Sequence, residues 1–197
     1  MQLEIASWAL NEEDFPLASE AIRKVETQGD ETIFSRNLKA KIAFAKQSYA
    51  IAESHYQAIL QREPANFDAA NMLALCMVES SDSEKQKKAL EISTRNFRSI
   101  PDNLVAQASL GYIHFKLGEF EKAKAFLTTA AKTPGTSPEV EYFVASCLRQ
   151  FGQKEAAREI VGKALDKKGL FLYRAPAKKL LAELGGSTLP KPAPSGN

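Results

Sequence analysis

The chain has 197 residues, 44% of them hydrophobic and 25% charged, with a mean hydropathy of −0.28. Those values argue against wholesale disorder, and no apolar run approaches the ~18 residues needed to span a bilayer. The formal charge of +2 is too small to argue for nucleic acid, and two cysteines without a CxxC and two histidines leave no material for a disulfide framework or a zinc cluster.

Apolar residues recur at i, i+3, i+4 and i+7 along almost the whole chain, and period-two alternation is never sustained. The pattern predicts an all-α protein. The opening stretch, MQLEIASWALNEEDF, carries acids and no basic leader, so a cytoplasmic protein is expected. Breakers then follow at Gly29-Asp30, Pro64, Pro101-Asp102-Asn103, Pro134-Gly135, Gly152 and Gly169, several about 34 residues apart. Charge is spread unevenly: residues 1–32 hold eight acids and two bases, residues 154–179 eight bases and three acids.

Aligning the chain on itself gives five units: 1–32, 33–66, 67–103, 104–137 and 138–171. The third carries three extra residues, placed in the turn SSDSEKQ. One position of the unit reads Ala6, Ala40, Ala74, Gly111 and Ala145. A second, twelve places on, reads Ala18, Ala52, Ala89, Ala123 and Ala157, with the insertion counted in the third unit. Small residues at ten of ten places have a packing reason. Where two antiparallel helices cross closely, anything larger than a methyl pushes the backbones apart.

The unit NLVAQASLGYIHFKLGEFEKAKAFLTTAAKTPGT, with Leu110, Gly111, Gly118, Phe120, Ala123, Leu127 and Ala130, resembles the tetratricopeptide repeat, a 34-residue helix–turn–helix. Unit 33–66 adds Tyr49, Ala52, Tyr56 and Pro64. The family's tryptophan at position 4 is absent; Arg36, Gln107 and Glu141 stand there. The resemblance implies a right-handed α-solenoid over residues 1–184. The stretch LFLYRAPAKKLLAEL, with an apolar stripe of Leu180, Leu181 and Leu184, is expected to form a capping helix over 172–184 that closes the array. The Gly/Pro-rich residues 185–197 read as a flexible tail.

No GxSxG, HExxH, P-loop or GxGxxG occurs, so no enzyme, cofactor or metal site is expected. Cys76 and Cys147 share one unit position two repeats apart, too far for a disulfide, and read as buried thiols. His55 and His114 lie on different repeats and read as packing or groove-edge residues. In the resembled family the first helix of each repeat lines a concave groove. Carried over, the groove residues are Asn37, Lys41, Phe44, Asn71, Leu75, Val78, Tyr112, Phe115, Lys116, Tyr142, Ser146 and Arg149. Tyr112, Phe115, Tyr142 and Arg149 are expected at its centre, holding a protein segment with apolar anchors and an acid. The family's carboxylate clamp for chaperone tails is not matched. Its places read Asn37, Lys41, Met72, Val105 and Ser109, or one repeat later Asn71, Leu75, Ser109, Glu139 and Phe143. The expected function is therefore a non-catalytic protein-interaction scaffold. Two alternatives are an RNA-binding helical repeat and a component of a bacterial secretion or pilus complex. Neither the oligomeric state nor the partner is fixed by the sequence.

Overall fold

The computed structural model describes residues 1–27 and 31–185; the breaker Gly29-Asp30 and most of the predicted tail lie outside them. Eleven α-helices and no strand occur among the described residues. They are α1 (Gln2–Asn11), α2 (Phe15–Glu26), α3 (Ile33–Ala45), α4 (Tyr49–Arg62), α5 (Phe67–Val78), α6 (Ser83–Ser99), α7 (Leu104–Lys116), α8 (Phe120–Lys132), α9 (Pro138–Gln150), α10 (Lys154–Asp166) and α11 (Arg174–Glu183).

Local chemistry sets the helix starts. Thr32, Asn66, Asn103 and Ser137 stand just before α3, α5, α7 and α9, and each side chain accepts from a backbone N–H in the first turn. Such a cap is worth ~1 kcal/mol and supplies a partner for an otherwise orphaned donor. α1, α3, α5, α7 and α9 each pack on the helix that follows, α4, α6 and α8 pack on the first helix of the following pair, and α11 packs on α10. All-α contacts of this local kind make the superhelix of the predicted class. The three extra residues of the third unit are divided: the turn gains one residue, and α6 lengthens to 17.

The ten small positions explain the close crossings. All nine alanines among them have no exposed surface. At Gly111 an added Cβ would sit 2.9 Å from both Leu127 Cγ and Phe126 Cβ, inside any real contact distance. The glycine lets α7 and α8 touch backbone to side chain.

The apolar interior has two parts. A continuous core runs from Ala40 to Leu181. A separate cluster joins α1 and α2 to Leu38 and Ile42 of α3, with Leu170 packed against it. Cys76 and Cys147 are buried and unlinked, and burial pushes both thiols up from their ordinary range. No helix among the described residues is long and apolar enough to cross a membrane.

Candidate partner-binding groove

The first helices of the repeats do form a groove, but the chain itself fills half of it. Residues 170–173 precede α11 and are not helical, so the capping helix starts at Arg174 rather than 172. They lie against the first helices. Tyr173, 1% exposed, meets Phe44 of α3 edge-on at 5.1 Å, Tyr112 of α7 at 5.5 Å and Phe143 of α9 at 5.1 Å, and stacks on Tyr142 at 5.1 Å. Tyr112 in turn stacks on Phe143 at 4.2 Å. Aromatic pairs at these separations add ~0.5–1.5 kcal/mol each beyond area burial.

This arrangement corrects several sequence-based assignments. Tyr112, expected at the groove's surface, is 2% exposed and lies in the core; its hydroxyl donates to Glu79 Oε1 at 2.8 Å. Phe44 and Val78 have no exposed surface and are packing residues. Phe115 is half-buried beside Tyr112 and Phe120. Lys116 pairs with Glu79 at 2.8 Å, and Arg149 with Glu183 of α11 at 2.9 Å. Ser146 is buried and donates to the Tyr142 carbonyl at 2.8 Å. At the predicted centre Tyr173 thus packs on Tyr112 and Tyr142, and Glu183 of α11 takes up the still-exposed Arg149. Burial pushes the phenols of Tyr112, Tyr142 and Tyr173 up, so the cluster stays neutral.

The other half is open. A cavity of about 330 Å³ lies between α3, α5, α7 and α9, at the small end of ligand pockets, which run ~300–1,000 Å³. Asn37 and Lys41 line it from α3, and Asn71, Met72 and Leu75 from α5. Val105 and Ser109 follow from α7, and Glu139, Val140 and Phe143 from α9, with Asp68 and Ser137 at helix starts. The remaining wall is Leu170 and Leu172. Asn37, Lys41, Asn71 and Leu75 are the predicted groove residues that the structure brings together. Every place tested for the carboxylate clamp lines this same cavity, but Met72, Val105 and Phe143 make it apolar there. Two polar atoms in its wall, Asn71 Oδ1 and Ser109 Oγ, are buried without any hydrogen-bond partner. Orphaned buried groups of this kind cost ~1–3 kcal/mol each, and call for a ligand or water.

Sequence reasoning missed residues 169–174. The LFLYR run was visible, but it read as the start of a helix, and nothing in its composition said that it turns back over the groove. Arg174 holds it in place. Its guanidinium donates to the carbonyls of Leu165, Lys167 and Gly169, and its Nε donates to Glu13 Oε1 at 2.7 Å. Glu13 Oε1 also accepts from the Phe171 N–H at 3.0 Å, and Glu139 from the Leu172 N–H at 3.1 Å.

The histidines lie away from this cavity. His114 stacks on Phe126, with Nδ1 2.5 Å from Glu119. His55 borders a cleft between α2, α3 and α4, where burial, then Lys39 and Arg36, push its pKa down. No group of three or more metal-ligating side chains occurs among the described residues.

Residues 37–86 and 105–133 match two models of the tetratricopeptide repeat. These two stretches are tetratricopeptide repeats. No curated protein matches it. Among solved structures, TTC0263, a thermophilic tetratricopeptide-repeat protein of Thermus thermophilus, is 17% identical with a TM-score of 0.64; the match covers 86% of this chain and 90% of that one. PilF of Pseudomonas aeruginosa is 14% identical with a TM-score of 0.57, over 93% and 87%. YrrB, a tetratricopeptide-repeat protein with an unusual peptide-binding site, is 16% identical with a TM-score of 0.52, over 93% and 90%. At these identities the likeness shows the shared fold. Tetratricopeptide-repeat arrays serve in general as protein-interaction scaffolds.

Proposed function

We propose that this tetratricopeptide-repeat protein is a non-catalytic scaffold that holds a segment of a partner protein in the open cavity between α3, α5, α7 and α9. The observation that carries this is the pair of buried residues with an unpartnered polar atom, Asn71 and Ser109, beside the apolar stretch of the wall made by Met72, Leu75, Val105 and Val140. An apolar side chain would enter among Met72, Leu75, Val105 and Val140, and a small turn of the Asn71 and Ser109 side chains would bring their polar ends to backbone N–H groups beside it. YrrB, which shares the fold, carries a peptide-binding site.

The electrostatics favour protein over RNA. Of the three bases named for the groove, Lys116 and Arg149 are paired with Glu79 and Glu183. Lys41 lies with Asp68 and Glu139 in the cavity wall, so among the described residues the groove itself offers no continuous basic face for a phosphate backbone. The seat predicted around Tyr112, Tyr142 and Arg149 is replaced by this one.

A photo-crosslinking side chain at Met72, compared with one at exposed Thr129, tests the reading in the native source. Capture of a partner from Met72 alone, lost on Asn71→Ala, is the expected result. The same products from both sites would overturn it.

A further inference from the structure

Residues 169–173 have two unlike edges. Phe171 and Tyr173 are buried in the core away from the cavity, while Leu170 lines the cavity and Leu172, also part of the core, borders it. Glu13 pins them. Its backbone lies in the left-handed region, at φ +59°. In the equivalent turns of the fourth and fifth repeats that position is Gly118 and Gly152, at φ +77° and +74°. A side chain there strains the backbone. Gln47 shares the strain at φ +59°, yet among the described residues its side chain makes no hydrogen bond. Glu13 differs: its carboxylate reaches the Phe171 N–H and the Arg174 guanidinium, 158 and 161 residues away in sequence. The strained turn of the first repeat thus holds a segment that is in place only when the whole array has formed.

Taking the cavity as the partner's seat, as proposed above, we infer that residues 169–173 are a fixed wall of that seat, pinned by Glu13, and that Leu170 and Leu172 set the apolar side chain it accepts. The partner is a protein segment with an apolar anchor, lying alongside this wall without displacing it. Displacement would expose Tyr173 and Phe171 and break the hydrogen bonds of Glu13, Glu139 and Arg174. Glu13 acts as a positioning residue, since it lies outside the cavity lining.

The probes are synthetic peptides taken from a random twelve-residue display library selected on the wild-type chain. Leu172→Ala and Leu170→Ala are expected to weaken binding by about tenfold or more. Reselection on either should shift the preferred anchor to a larger, aromatic side chain, a change that loss of stability alone would not produce. Glu13→Gly should weaken the same peptides, Glu13→Gln should restore most of the affinity by keeping an acceptor for the Phe171 N–H, and Gln47→Gly should have no effect. Amide exchange on the unaltered protein gives a reading independent of folding defects: the Phe171 and Leu172 amides should exchange more slowly in the complex. Faster exchange there would mean that the segment is displaced, and would overturn the inference. So would peptides that weaken on Asn71→Ala but bind Leu170→Ala, Leu172→Ala and Glu13→Gly as tightly as wild type. Peptides indifferent to Asn71→Ala as well, or an empty selection, would overturn the groove reading itself.

Discussion

The seam between the first and second repeats and the seam between the fourth and fifth are built from different materials. At the later seam Tyr112, Phe143, Tyr142 and Tyr173 form one aromatic stack within the continuous core. At the earlier seam the apolar cluster is small and separate. Charges bridge the rest: Glu26 pairs with Lys39 at 2.6 Å, and Glu31 pairs with both Arg36 and Lys39. A cleft of about 290 Å³ lies open between α2, α3 and α4. Trp8 marks the same contrast. Its unit position is filled by Ile42, Cys76, Ile113 and Cys147 in the other repeats, all buried, whereas Trp8 is 59% exposed. A dry seam resists salt and pH; an ionic one does not, since each partly exposed pair contributes only ~0.2–1 kcal/mol. In a linear array such differences show directly as local stability.

Tyr173→Ala is the largest test of this contrast. It empties a space shared by α3, α7 and α9, and a loss of about 3–5 kcal/mol in a urea melt is expected. Residues 169–173 also tether the first repeat through Glu13, so amide protection of α1 and α2 should fall as well. Full protection of α1 and α2 in a destabilised variant would show that the first repeat holds without the tether. Ala123→Leu acts within one repeat instead. Ala123 has no exposed surface, and overpacking there should cost about 1–3 kcal/mol. An unchanged melt would mean that α7 and α8 cross elsewhere.

Two turns allow a comparison of sign. Gln47→Gly relieves a left-handed backbone and removes no side-chain hydrogen bond, so it should stabilise by about 0.5–1 kcal/mol after the entropy cost of glycine. Glu13→Gly relieves the same strain but removes two charge-assisted or backbone-directed hydrogen bonds, worth roughly 1.5–3 kcal/mol where charge is involved. It should destabilise by about 1 kcal/mol. Equal effects for the two variants would break the assignment of Glu13 as a tether.

Much of the fold was legible because it is periodic. The small positions from Ala6 to Ala157 and the caps Thr32, Asn66, Asn103 and Ser137 are local signals repeated at each unit, and local signals survive in sequence. The site was legible only in part. Asn37, Lys41, Asn71 and Leu75 follow from their places in the unit. Tyr112 and Tyr142 occupy equally regular places, but Tyr173 from outside the repeats packs on both, and Arg149 is taken up by Glu183 of α11. Nothing periodic announces that Tyr173 turns inward or that Glu13 meets Arg174, because residues 169–173 lie outside the repeat and the Glu13 contacts join residues 158 and 161 apart.

The smallest effect expected is the pH response of the ionic seam. His55 borders the cleft together with Arg23, Glu26, Lys39 and Lys46. Burial, then the charges of Lys39 and Arg36, depress its pKa, and Glu26 opposes them only in part. The folded chain therefore resists a proton that the unfolded chain accepts near pH ~6.5. Stability from this group is full above that value, falls as pH drops towards the lower folded pKa, and is constant below it. The lowered carboxyls of Glu20, Glu119 and Glu159 lose their contribution only below about 4.5, so a decline that begins near pH ~6.5 is not theirs. Melts at pH 7.5 and 5.5 should show a decline in wild type that His55→Gln reduces. Amide exchange should place that decline in α2, α3 and α4, leaving α9 and α10 unchanged. A His55→Gln variant with the full wild-type decline would remove His55 as its source, and a decline centred on α9 would erase the contrast between the two seams.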